Sequence, residues 1–130
     1  MRPAAKQGDQ VTAQDTHIVM IPSPTGPVPT PTPMPFSGVL SDNLSDNVLI
    51  ENKPAAVVGS TADNLPPHIA VAGPFQSPPA NKAKVLMGTR KVLINDKEAA
   101  HAGSQVETCN DPVNLPNGQI LATGTVLVGQ

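Results

Sequence analysis

Residues 48–60 read VLIENKPAAVVGS, and residues 92–104 read VLINDKEAAHAGS. The two stretches agree at eight of thirteen positions: Val-Leu-Ile, Lys, Ala-Ala and Gly-Ser. Between Ile and Lys lies a two-residue turn carrying Asn52 in one copy and Asn95 in the other. A repeated supersecondary unit constrains the architecture before any single residue does. In this unit the turn asparagines tolerate unusual backbone angles between short apolar runs. The alanine pairs leave room for another layer to approach, and Gly59 and Gly103 let the chain bend.

A third copy is split between the two ends of the chain. Residues 2–9, RPAAKQGD, match 53–60, KPAAVVGS, while 125–130, TVLVGQ, resemble the strand that precedes the motif in the internal copies. The split predicts three β-hairpins around a common axis, with the last strand pairing with the first. Units are expected at about 39–68 and 85–111, with the third formed by 119–130 together with 1–17.

Composition agrees with short strands rather than helices. The 130 residues include 16 prolines and 10 glycines, with 2% aromatic residues. Prolines interrupt nearly every window in which a helix would run. Apolar triplets at 48–50, 85–87, 92–94 and 126–128 are flanked by turn formers, the pattern of brief strands. The expected class is therefore all-β, with no helix longer than about two turns. The segment 21–35, IPSPTGPVPTPTPMP, reads as a solvated polyproline loop. A chain of this size buries roughly two-thirds of its unfolded surface. With so little aromatic mass, something beyond apolar burial is expected to help, and one cysteine rules out an internal disulfide.

A net charge of −2 with 14% charged residues offers no basic stripe for nucleic acid. The N-terminal stretch MRPAAKQGDQ lacks the apolar run of a secretory signal, so synthesis in the cytoplasm without a leader is expected.

The histidines and the cysteine stand in relation to the repeat. His17 follows Gly8 by nine residues, and His68 follows Gly59 by nine. The third unit has Pro112 at that point and offers Cys109, six residues after Gly103, together with His101 inside the motif. If the three units converge on one axis, His17, His68, His101 and Cys109 form a tetrahedral set suited to a closed structural Zn²⁺ site. Asp15, two residues before His17, reads either as a carboxylate orienting that ligand or as a turn residue. No nucleophile elbow, phosphate loop or His-Glu-x-x-His helix occurs. A thiol nucleophile at Cys109 with His101 as base would ignore the repeat.

The motif Pro3-Ala4-Ala5-Lys6, repeated as Pro54-Ala55-Ala56-Val57 and Glu98-Ala99-Ala100-His101, resembles the PAAR repeat, named for proline-alanine-alanine-arginine. The arginine is replaced here by Lys6, Val57 and His101, and Glu98 stands where a proline is usual. The resemblance spans essentially the whole chain. It implies a single domain over 1–130, a small cone of hairpins with pseudo-threefold symmetry stapled by a metal near its apex. It further implies a non-enzymatic spike tip whose base sits on the trimeric β-helical spike of a contractile injection machine: type VI secretion, an extracellular injection particle or a phage-like tail. One tip would cap one trimer, meet the target membrane during injection and carry effector proteins where these attach. The family's three histidines and one cysteine fall on His17, His68, His101 and Cys109. No fused toxin domain is expected. The readings set against this are a small zinc hydrolase and a proline-rich interaction segment.

Overall fold

The computed structural model describes residues 1–129, which form β-strands joined by turns and loops. The strands are β1 (Arg2–Pro3), β2 (Gln10–Ile21), β3 (Val28–Asp42), β4 (Leu49–Ile50), β5 (Lys53–Pro54), β6 (Thr61–Asn64), β7 (Lys82–Val85), β8 (Thr89–Ile94), β9 (Lys97–Ala99), β10 (Gln105–Thr108), β11 (Leu115–Leu121) and β12 (Leu127–Val128). Six of them close into a barrel in the order β10-β11-β2-β3-β6-β7. The barrel is thus three antiparallel hairpins side by side, β2–β3, β6–β7 and β10–β11. Closure removes open edges where the six strands pair, while the far half of the β2–β3 hairpin runs beyond the closed part.

Each barrel hairpin is preceded by one copy of the repeat. The first part of each copy forms a small two-stranded sheet: β4–β5, β8–β9, and the pair β12–β1 made from the two ends of the chain. The two-residue turns are left-handed, with φ of 52° and 67° at Glu51 and Asn52, and 54° and 67° at Asn95 and Asp96. That is the hairpin geometry asparagine accepts best.

The alanine pairs then bond to one another in a cycle. Ala5 N–H donates to Ala100 O, Ala100 N–H to Ala56 O, and Ala56 N–H to Ala5 O, at 2.9–3.0 Å. A second cycle joins Gln7 to Pro54, Val58 to Glu98, and Ala102 to Pro3. The amides of Gly8, Gly59 and Gly103 donate to Leu40, Val85 and Ile120 on the three returning strands. These glycines have φ of 89°, 98° and 87°, where a side chain would be strained. Any residue larger than alanine within the ring would force the three backbones apart. Ala5, Ala56 and Ala100 are accordingly fully buried.

The core repeats in the same threes. One apolar cluster takes in Val11, Ala62 and Val106 from β2, β6 and β10 and Leu40, Val85 and Ile120 from β3, β7 and β11. Ala4, Ala55 and Ala99 pack with Ile50, Ile94 and Val128 in a second cluster beneath the ring. The ring position after each alanine pair holds Lys6, Val57 or His101. The Lys6 ammonium is buried between Asp9 at 3.2 Å, Glu51 at 3.6 Å and the carbonyl of Thr123 at 2.6 Å. Glu51 in turn accepts from Thr125 N and Oγ1, which holds its carboxyl below the usual range. These contacts fasten the closing segment of the chain onto the repeat in the middle.

Two local expectations are corrected. The triplet at 85–87 is strand only at Val85, the last residue of β7. More consequentially, the proline-rich segment is not a polyproline loop along its length. A turn covers 22–27, and residues 28–35 are the first half of the 15-residue strand β3. Pro29, Pro31, Pro33 and Pro35 lie opposite Met20, Ile18, Thr16 and Gln14 of β2. The amides of Thr16, Ile18 and Met20 point away from β3, to Asn110 Oδ1, Asp111 Oδ2 and Pro74 O. The prolines therefore occupy the pairs in which no hydrogen bond crosses between the strands, so the ladder loses nothing. They remove donors only from the outer edge of β3. Alternation at period two, invisible to a compositional reading, is what makes the segment a strand.

Candidate metal centre

Three strands leave the alanine ring in the same sense, each following a bend glycine: β2, β6 and β10. Successive residues rise about 3.3 Å along a strand, so His17 lies roughly 23 Å along β2 from Gln10. The odd positions of β2 face inward; Val11, Asp15, His17 and Val19 are all buried. Asp15 and His17 thus share a face by strand periodicity. His68 lies four residues past the end of β6, and Cys109 immediately follows β10.

One ligand atom each from Asp15, His17, His68 and Cys109 falls within 4.8 Å of the others, and all four residues are buried. This group can hold a metal ion. His68 Nε2 donates to Asp15 Oδ2 at 2.7 Å, and Cys109 Sγ stands 3.4 Å from the same oxygen. Asn64 supports His68 from behind, its Nδ2 being 3.2 Å from Nδ1. Thr108 Oγ1 donates to Asp15 Oδ1. The segment bearing Cys109 is locked to β2 independently, because Asp111 N–H donates to Thr16 O at 2.9 Å and Asn110 Oδ1 accepts from Thr16 N–H at 2.7 Å.

His17 carries the argument for an ion. Its side chain is 1% exposed, and neither Nδ1 nor Nε2 has a hydrogen-bond partner. Asp111 Oδ2 is 3.4 Å from Nδ1, too long and poorly aimed for a bond, and it already accepts from Ile18 N–H at 2.8 Å. A buried polar atom without a partner costs about 1–3 kcal/mol. A ligand bound among these residues would remove part of that cost. The rings of His68 and Phe75 pack on His17 with centroids 5.1 and 6.0 Å away.

The Cys109 thiol is pushed up to about 11, first by burial and then by the adjacent Asp15 charge. In the metal-free chain the sulfur is therefore a thiol at neutral pH, and a metal must displace its proton to gain a thiolate ligand. A sulfur held in this state is a poor nucleophile.

Of the four residues singled out by sequence, His17, His68 and Cys109 come together. His101 is not in this group. It sits in the alanine ring, bridged to Ala4, with Nδ1 2.9 Å from the carbonyl of Ala102. The reason is positional: it precedes Gly103, whereas the clustered ligands lie six and nine residues beyond their glycines, up the strands. The fourth member is Asp15, which belongs to the middle of β2 and is no turn residue. Its separation of two from His17 was the available signal, since that spacing puts both on one face of a strand.

No known protein-family model, curated protein or solved structure matches the chain.

Proposed function

We propose that this protein is a structural tip: a metal-stapled cone of PAAR type that caps the trimeric β-helical spike of a contractile injection machine and helps it puncture a target membrane. The observation that carries the reading is the pair of hydrogen-bond cycles through the three repeat segments. They support a pseudo-threefold base, and such a base lets a single chain meet three identical partners in equivalent ways. The three small hairpins beneath the ring each hold a leucine outward: Leu49 is 60% exposed, Leu93 59% and Leu127 48%. They occupy corresponding places, opposite Pro54, Glu98 and Pro3. Three apolar contacts in rotation suit the blunt end of a trimer.

The metal in this proposal is Zn²⁺, held by His17, His68, Cys109 and Asp15. Two imidazoles, a thiolate and a carboxylate supply four donors, the number that closes a structural site and leaves no position for substrate. The carboxylate and thiolate together carry two negative charges, which balance a divalent ion. Bound there, the ion would link residues from all three barrel hairpins and their connections. It would add folding free energy on the order of 10 kcal/mol in zinc peptides. That is the requirement of a point driven into a membrane. The role is mechanical, with assembly on the injection particle.

The test is to mix the purified chain with a trimeric β-helical spike protein and measure stoichiometry by light scattering. One chain per trimer is expected, lost on Leu49→Asp with Leu93→Asp while the thermal transition of the free chain is unchanged. Failure to bind any such trimer, or binding that ignores the two substitutions, would count against the cap.

A further inference from the structure

Residues 65–80, LPPHIAVAGPFQSPPA, join β6 to β7 and pass across the inner face of the β2–β3 hairpin from one edge to the other. On the near side Leu65 N–H donates to Ser37 O of β3, and on the far side Gln76 N–H donates to Ile18 O while Met20 N–H donates to Pro74 O. Of these sixteen residues only His68 is buried. Ile69 is 71% exposed and Val71 94%, and no hydrogen bond ties 69–73 to the rest of the described residues. The strap is therefore held at its two ends and, between them, by a single side chain.

The other three members of the metal centre are placed differently. Asp15 and His17 lie within a 12-residue strand, and Cys109 belongs to a segment bonded to that strand through Asn110 and Asp111. Those bonds form without an ion. His68 alone comes from an element with no core of its own. Its contacts are the Asp15 and Asn64 side chains, the rings of His17 and Phe36, and its backbone N–H bonded to Asn81 Oδ1 at 2.9 Å.

We infer that the ion acts as a tether: by binding His68 to the rigid trio Asp15, His17 and Cys109, it fixes the order of the strap 65–80, while the barrel and the alanine ring stand without it. This rests on the proposed metal site and adds to it which part of the molecule the ion governs. Local opening draws on elements with few buried contacts, and the strap, with one buried residue of sixteen, is such an element. In the loaded protein it would present Leu65, Ile69 and Val71 as one fixed apolar crest. In the metal-free protein the crest would be released.

Hydrogen exchange on the full chain, loaded with Zn²⁺ and again after chelation, reads this directly. The Gln76 and Met20 amides, which bond across the strap, are expected to exchange at least tenfold faster without metal. The Ala5, Ala56 and Ala100 amides, which open only with the whole fold, are expected to remain the most protected of the chelated protein, far slower than those of the strap. His68→Ala should show the fast strap exchange whether or not Zn²⁺ is added. Unchanged strap exchange in a chain that binds one Zn²⁺ would overturn the tether and leave the metal site standing. Ring protection falling to the level of the strap after chelation would also overturn it, since the ion would then be holding the whole fold. A wild-type chain that takes up no Zn²⁺ would remove the site and the tether with it.

Discussion

Replacing His17 with leucine should change stability in opposite directions with and without metal. In the metal-free protein His17 is almost fully enclosed with both ring nitrogens unpartnered. Relieving one such group recovers about 1–3 kcal/mol. Leucine is close to histidine in volume, so repacking against His68 and Phe75 should cost under about 1.5 kcal/mol. Taking ~2 kcal/mol for the gain and ~1 kcal/mol for the repacking leaves about 1 kcal/mol in favour of leucine. For a chain of this length the entropy of unfolding converts that to a rise of about 3–4 °C. With Zn²⁺ at a thousand times its dissociation constant, the wild type gains about 4 kcal/mol, some 15 °C. The variant, having lost a ligand, gains far less. The assay is a thermal melt of both proteins in chelator and in Zn²⁺, with bound metal counted by elemental analysis. Leucine should melt higher in chelator and lower in Zn²⁺. An ordinary core histidine could not produce that crossing. A variant less stable than wild type under both conditions would refute the reading of His17 as a ligand awaiting its ion.

Other outcomes separate the remaining parts of the argument. Asp15→Ala should lower bound Zn²⁺ well below one per chain, whereas His101→Ala should leave it unchanged; the reverse pattern would return the fourth ligand to His101. Because the Cys109 thiol is raised to about 11, it is protonated below that pH and competes with the metal. Apparent Zn²⁺ affinity should therefore climb with pH between 7 and 9, about tenfold per unit from this proton. Cys109→Ser should flatten the slope by one unit, as followed by competition titration. Ala56→Leu should destabilise by about 1–3 kcal/mol or more through overpacking of the ring, read by urea unfolding, whereas Ala80→Leu on the exposed strap should change little. Pro31→Thr with Pro33→Thr restores two donors to the outer edge of β3, and sedimentation should then show concentration-dependent association. A variant that stays monomeric would mean those prolines do not guard that edge.

The scattered prolines and short apolar triplets were sufficient to read an all-β chain, and the repeat at 48–60 and 92–104 to read its turns, its bend glycines and the pairing of its first strand with its last. Local chemistry explains why. Asparagine at a turn, glycine at a bend and alanine at a close approach each answer a backbone demand that is written into neighbouring residues. The same regularity placed His17 and His68 in register, because two copies of one unit carry equivalent side chains to equivalent heights. Long-range relations were decided elsewhere. That 28–35 is a strand depends on every second residue meeting β2 at a pair where no hydrogen bond is needed, a matter of partner and register rather than of proline content. That Asp15 joins the metal centre while His101 stays in the ring depends on how far each lies along a strand from its bend glycine. A sequence can show that four donors exist, but which of them share a few ångströms is set by the closure of the barrel, where three strands starting from one ring bring their far ends together.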